Sequence, residues 1–445
     1  MKVHFIGIGG IGVSSIAQYY LEKGHKISGS DLVASEITDF LKKKGVKIFI
    51  GNLAENISKD FDLVVHSPAV KEDNPELKKA KELGIKLQSY PEALGELTKN
   101  YFTIAISGAH GKSTTTSMIG ILLIKAGLDP TVVVGTKLKE FGNHALSASE
   151  GSNFRIGHSR YLVIEACEYD GSFLNYETNI VVVTNVDKEH LDYFKNFKNV
   201  IKTFKNFILK LPKDGSLVVN KDDKNLVKIS KGKFQTKFYS IKQKEAKKIK
   251  KILKIPGQHN VSNALAALEV ARILGIKDSV SFKALSEYRG SWRRFEIIKT
   301  KPYTLISDYG HHPNEVLVTL KATREKYPKK HIWCIFQPHQ YQRTHYLFND
   351  FVKILRQAPI DNIIIADIYD VAGREEKKIS SSVSSQNLVK KINNPPSLKA
   401  MARQGKNVSY MKLNDAEKYV KENIKNGDVL IIMGAGDVYK LVDKF

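Results

Sequence analysis

Short apolar runs alternate along this chain with longer stretches whose apolar residues recur at helical spacing, the pattern of strands separated by amphipathic helices. Near the N-terminus the order is strand KVHFIGIG, glycine turn, helix GIGVSSIAQYYLEKG and strand HKISGSD, a βαβ unit. Helix EITDFLKKKG, strands VKIFIG and DLVVHSP, helix NPELKKAKELG and strand IKLQSY repeat the rhythm and predict a small parallel α/β domain. Tyr90-Pro91 followed by EALGELTKN reads as a linker helix. A second α/β segment opens with strand YFTIAIS, continues through YLVIEAC and NIVVVTNVD, and ends near residue 288. From Arg289 a third shows strand TLISDYG, helix NEVLVTLKATREKY, strand HIWCIFQP, helix LFNDFVKILRQA, and strands NIIIADIYD and DVLIIMGAGDVY. The segments are residues 1–98, 99–288 and 289–445. SSSVSSQ and NNPPS read as polar loops, and no long internal repeat is visible.

A length of 445 residues suits two to four domains at roughly 100–200 residues each. With 42 % hydrophobic and 26 % charged residues, the composition excludes disordered, collagen-like and membrane classes. The formal charge of +24 admits a nucleic-acid partner, a membrane surface, a polyanionic small substrate or a Lys-rich surface. The lysines spread along the whole chain, and the densest run, Lys244 to Lys254, has apolar residues at near-helical spacing, as an exposed amphipathic helix would. Neither nucleic acid nor membrane is therefore expected as a partner. Cys167 and Cys334 sit in apolar runs and read as strand residues in a reducing compartment. No run approaches the roughly 20 apolar residues of a membrane span, and the N-terminus enters a strand without a signal peptide's apolar region. A cytoplasmic address follows.

Gly7-x-Gly9-x-x-Gly12 follows a strand and opens a helix, where glycines let the backbone approach a diphosphate at the helix N-terminus. Asp31, ending the second strand, is placed to hydrogen-bond a ribose. The glycines alone do not distinguish NAD from a UDP-sugar. Gly108-Ala-His-Gly111-Lys112-Ser113-Thr114, directly after a strand, is a shortened phosphate-binding loop: its amides would cradle phosphates, Lys112 would neutralise their charge and Ser113 would ligate Mg²⁺. Two further strand ends offer hard-cation ligands, Glu165 and Glu168 in EACEYD, then Asp187, Glu189, His190 and Asp192 in NVDKEHLD. Asn260 and Asn263 can share one helix face and offer the donor and acceptor an adenine edge needs. WRRFE, DYGHHP and QPHQYQRT gather four of the chain's 11 arginines (Arg289, Arg293, Arg294 and Arg343 lie in or beside them) with adjacent histidines, which read either as structural or as catalytic groups.

In order along the chain, GIGGIGVSSIA, SGSD, GAHGKSTTT, EACEYDGSF, TNVDKEHLD, HNVSNALAA, RRFE, DYGHHPNE, FQPHQYQRT and MGAGD resemble the motifs of the Mur ligase family. The resemblance implies an α/β fold of three domains: a Rossmann-like N-terminal domain holding a UDP-sugar, a central P-loop ATPase domain, and a C-terminal Rossmann-like domain that receives the amino acid. It implies that Gly7, Gly9, Gly10, Gly12, Asp31 and Ser67 face the UDP moiety. Gly108, Ala109, His110, Gly111, Lys112, Ser113 and Thr114 would hold ATP phosphates, with Asn260 and Asn263 on the adenine side. Ser113, Glu165 and His190 would bind Mg²⁺, Arg294 would reach phosphate, and His311 and Arg343 would line the amino acid and the reacting carboxyl.

The activity so implied is ATP-dependent amide ligation, joining L-alanine to the carboxylate of UDP-N-acetylmuramate through an acyl phosphate, by a monomer or weak homo-oligomer. Three departures from the family pattern stand out. Ala109 replaces a usual Thr, Cys167 and Tyr169 replace Asp and Ser, and Gln340 stands where an Arg usually precedes Arg343. Alternatives are a recycling ligase attaching a murein peptide to the same sugar, an NAD-dependent oxidoreductase resting on the first glycine loop, and a P-loop switch protein. The second phosphate loop disfavours the oxidoreductase, and the third segment's arginines and histidines disfavour the switch.

Overall fold

A computed structural model describes residues 1–144, 151–370, 377–394 and 407–445. These contain three sheets. The first comprises β1 (Lys2–Ile6), β2 (Lys26–Asp31), β3 (Lys47–Ile50), β4 (Leu63–His66) and β5 (Leu87–Ser89), all parallel in the order β3-β2-β1-β4-β5. Its topological switch lies between β1 and β4, so the first glycine loop, which follows β1, opens on the crevice where such sheets bind ligands.

The second sheet comprises β6 (Phe102–Ser107), β7 (Thr131–Leu138), β8 (Ser152–Arg155), β9 (Tyr161–Glu165), β10 (Ile180–Val183), β11 (Ser216–Asn220) and β12 (Gln235–Tyr239), ordered β12-β11-β10-β6-β9-β7-β8. The third comprises β13 (Glu296–Lys299), β14 (Thr304–Asp308), β15 (Ile332–Phe336), β16 (Asn362–Ile365), β17 (Asn407–Tyr410) and β18 (Val429–Met433), ordered β13-β14-β18-β15-β16-β17. Both are parallel except at one edge, where β8 pairs with β7 and β13 with β14 in the antiparallel sense. Central strands such as β10 and β18 are buried along their whole length, because helices cover both faces of a parallel sheet.

Packing divides the chain into two compact units. The first holds Met1–Asp187, Lys198–Ile252 and Ser262–Tyr288, with the first and second sheets; the other holds Lys188–Phe197, Leu253–Val261 and Arg289–Phe445, with the third. The linker helix forms as Tyr90–Thr98, started by a capping box between Ser89 and Glu92. The Lys-rich run forms helix Lys244–Ile252, with Ala246 and Ile249 buried and its lysines exposed. Two local expectations need correcting. Cys334 lies on β15, but β9 ends two residues before Cys167. SSSVSSQ is not all loop, since Ser384 caps the helix Ser385–Asn393. Of NNPPS, the part from Pro395 onward lies outside the described residues, as does the side chain of Asp192. No helix of the described residues is long and apolar enough to cross a membrane.

Candidate active site

The first glycine loop is built by its own backbone. Gly7 has φ of 78°, and a Cβ there would approach Ser67 Cβ to 3.0 Å, so the turn needs glycine and brings Ser67 alongside. The amides of Gly7 and Ile8 donate to the Ser30 carbonyl (2.8 and 3.0 Å), that of Gly9 to Asp31 Oδ2 (2.8 Å) and that of Gly10 to the Gly7 carbonyl (3.1 Å). Asp31 therefore shapes the loop, with one oxygen already engaged there. Helix Ile11–Glu22 starts without a side-chain cap, the kind of helix start at which anions can bind. Gly12 is required by Tyr90, whose ring carbon Cζ would lie 2.9 Å from a Cβ at that position. Leu32 and Val33 after β2, Ile50 at the end of β3 and Leu53 beyond it stand exposed.

The second loop repeats this design. Helix Lys112–Lys125 starts after Gly111, at φ of 84°, again uncapped. The amides of Ala109 and His110 are taken by Asn185 (3.0 Å to its carbonyl, 2.9 Å to Oδ1), so the donors within reach of a phosphate are those from Gly111 onward. Lys112 Nζ donates to the Gly108 and Ala109 carbonyls (2.6 and 3.1 Å) and pairs with Glu168 Oε2 at 3.0 Å. Burial alone would lower its pKa, yet Glu168, Cys167 and Glu165 hold it above the ordinary lysine value, so the ammonium stays charged. The same burial pushes the Cys167 thiol up to about 12. Glu165 receives the Ser113 hydroxyl (3.1 Å) and the Gly135 amide (2.9 Å), so Ser113, Glu165, Glu168 and Lys112 form one cluster. Asp187 lies 3.0 Å from His110 Nε2.

Asn260 and Asn263 lie in helix Gln258–Ile273, both buried, but they do different things. Asn263 lies against the phosphate loop, its Oδ1 2.5 Å from where a Gly111 Cβ would be, whereas Asn260 Nδ2 donates to the Pro256 carbonyl at 2.7 Å.

In the second unit, Glu189, His190, Gln340, Gln342 and Arg343 line one pocket. Arg343 donates to the His339 carbonyl (3.1 Å) and pairs with Glu189 Oε2 at 3.4 Å. Glu189 is buried, which alone would raise its pKa, but Arg343 and the neighbouring histidines hold it well below the usual carboxylate range. Gln340 shares this pocket, at φ of 74°, so the departure sits beside the arginine it was paired with in sequence. His311 Nδ1 lies 3.1 Å from the Tyr309 carbonyl and 3.3 Å from Glu315, and burial lowers its pKa to about 4. Arg293 and Arg294 part company. Arg293 is buried among Trp292, Tyr309 and Tyr439 and donates to the Gly434 carbonyl, while the less buried Arg294 lies 4.8 Å over the Tyr309 ring. Asp308 accepts from the amides of Phe295 and Gly310, joining the arginine turn to the histidine turn.

Sequence reasoning missed Thr184 and Asn185, which grip the phosphate loop, and Tyr90, which abuts the first. Only their positions just past a strand carried any signal. Glu168, a candidate hard-cation ligand by sequence, pairs with Lys112 in the structure.

Three family models match in succession: "Mur ligase family, catalytic domain" over residues 2–102, "Mur ligase middle domain" over 106–271 and "Mur ligase, glutamate ligase domain" over 293–436. The chain is 41 % identical to UDP-N-acetylmuramate–L-alanine ligase of Caldanaerobacter subterraneus subsp. tengcongensis, covering 100 % of this chain and 97 % of that one. It is 40 % identical, at the same coverage, to the ligase of that name from Aquifex aeolicus. The structure resembles UDP-N-acetylmuramate–alanine ligase of Thermotoga maritima, with a TM-score of 0.78, 26 % identity, and 100 % and 98 % of the two chains covered. A murein peptide ligase from Psychrobacter arcticus, 22 % identical over 100 % and 98 % of the two chains, shares the fold at a TM-score of 0.69. With all three family models matched in order and identity running the length of the chain, this protein belongs to the Mur ligase family.

Proposed function

We propose that this chain joins L-alanine to the carboxylate of UDP-N-acetylmuramate at the expense of ATP. The observation that carries the reading is full-length identity of about 40 % to relatives bearing that name. The geometry supports it with two separate phosphate-type loops, one per sheet of the first unit.

The substrate carboxylate attacks the γ-phosphorus of ATP, giving an acyl phosphate and ADP. The amine of L-alanine then adds to the acyl carbon, loses a proton, and the tetrahedral intermediate expels phosphate. Little covalent chemistry falls to the protein, whose work is positioning and charge neutralisation. The helix starting at Lys112 presents amides to the phosphates, and Lys112, kept charged by Glu168, opposes their charge. Glu165 and Ser113 are hard oxygen donors already held together, a set that suits magnesium, and His190 is the further ligand that the family motif offers. A magnesium ion bound there would neutralise charge on phosphate oxygens. Asn263 would act on the nucleotide side, and Arg294 on phosphate. Gln340, Arg343 and His311 would serve the amino acid; with a pKa near 4, His311 is neutral at physiological pH and available as a proton acceptor. The first loop, with Ser67, would take the UDP-sugar.

Phosphate release from ATP, measured with UDP-N-acetylmuramate and a panel of L-alanine, glycine, L-serine and a murein tripeptide, tests the reading. L-alanine should stimulate most. A tripeptide that outperforms every free amino acid overturns it in favour of the recycling ligase.

A further inference from the structure

Behind the first glycine loop lies a carboxylate that the reaction as described does not use. Glu76, in the first turn of helix Pro75–Glu82, is fully buried. Burying a carboxylate is costly unless hydrogen bonds replace its hydration. Here Oε2 accepts the Ser30 hydroxyl and Oε1 accepts Asn56 Nδ2, both at 2.6 Å. His4, also fully buried and tied to Ser28 at 2.9 Å, places Nε2 3.8 Å from Oε1.

Both of these partners lead to the loop. Ser30 is the residue whose carbonyl receives the amides of Gly7 and Ile8. Asn56 donates through the same Nδ2 to the Gly51 carbonyl (3.1 Å), the Gly51 amide donates to the Asp31 carbonyl (2.8 Å), and Asp31 Oδ2 receives the Gly9 amide. One buried carboxylate thus sets the residues that hold three successive loop amides. We infer that Glu76 is a positioning residue for the diphosphate of the UDP-sugar, acting through Ser30 and Asn56 on the loop that follows β1. The inference rests on the reading that this loop takes the UDP-sugar.

The role is one of ground-state binding, so the effect belongs in KM for the sugar nucleotide and not in kcat. Glu76→Gln keeps the shape but weakens the charge-assisted bonds. In the full-length enzyme it should raise KM for UDP-N-acetylmuramate, and the calorimetric Kd measured without ATP, on the order of tenfold. The KM values for ATP and L-alanine should stay unchanged. Ser30→Ala, which cuts one arm and leaves the carboxylate satisfied by Asn56, should give a smaller rise and should not add to Glu76→Gln in the double variant. If Glu76→Gln fails to fold, Ser30→Ala alone decides by the same split. A folded variant that binds UDP-N-acetylmuramate like the wild type overturns the inference, and so does an equal rise in all three KM values, which marks general loosening. If the wild type itself does not bind UDP-N-acetylmuramate, the assignment of the loop fails and this inference with it.

Discussion

Lys112 is held in place by Glu168 and by two carbonyls of its own loop. Lys112→Ala should abolish ligation, yet leave binding of UDP-N-acetylmuramate largely intact, because the two phosphate loops follow different strands. Calorimetric titration with the sugar nucleotide checks this. The variant should also lose about 3 kcal/mol or more of stability, since buried Glu168 is left without its cation, and thermal unfolding measures that loss. Gln340 stands in the pocket with Arg343, so Gln340→Arg offers a second fork to an amino-acid carboxylate. It should lower KM for L-alanine about tenfold with little change in kcat, as initial rates at varied L-alanine will show.

At the scale of elements, strands deliver functional groups at their carboxyl ends and helices deliver amides at their starts. The helices Glu36–Lys43, Pro75–Glu82 and Tyr90–Thr98 satisfy their first amides with Ser35, Asn74 and Ser89. The two that follow the glycine loops do not. β9 ends at Glu165, within reach of the first turn of the helix Lys112–Lys125. Glu165→Ala and His190→Ala should each raise the magnesium concentration needed for half-maximal activity, in titrations of rate against Mg²⁺; unchanged dependence in both would remove them from the metal's ligands. Strands such as β6, β10 and β18 were legible because continuous apolar runs identify them, and β3 and β5 were legible at the edges of the first sheet. β8, β12 and β13 were not: β12 exposes three of its five residues, and β8 and β13 reverse direction where one neighbour alone fixes their pairing.

For the whole molecule, acid stability depends on histidines that the fold keeps neutral. Burial lowers both His259 and His311, in the second unit, to about 4. Unfolded, they would titrate near 6.5, so the unfolded chain binds more protons between these values and stability falls as pH drops through that window. The slope is up to about 1.4 kcal/mol per pH unit for each group. Glu189, held low, loses its own contribution only below about 4.5, while Asp308, raised by burial, works against the histidines as its carboxyl protonates. Denaturant unfolding at a series of pH values should show this slope, and His259→Gln should make it shallower. By itself the sequence determined the α/β class, the family resemblance, both glycine loops and most of the side chains beside them. Those features are local: a strand's apolar run, a glycine at positive φ and an uncapped helix start lie within a few residues of each other. The tertiary structure alone decided that Asn185 holds the phosphate loop, that Glu189 meets Arg343 across 154 residues, and that Glu76 supports Ser30. It also assigned Lys188–Phe197 and Leu253–Val261 to the second unit. Such pairings follow from how sheets and helices pack, and a buried carboxylate or amide in the sequence carries no mark of which distant donor will satisfy it.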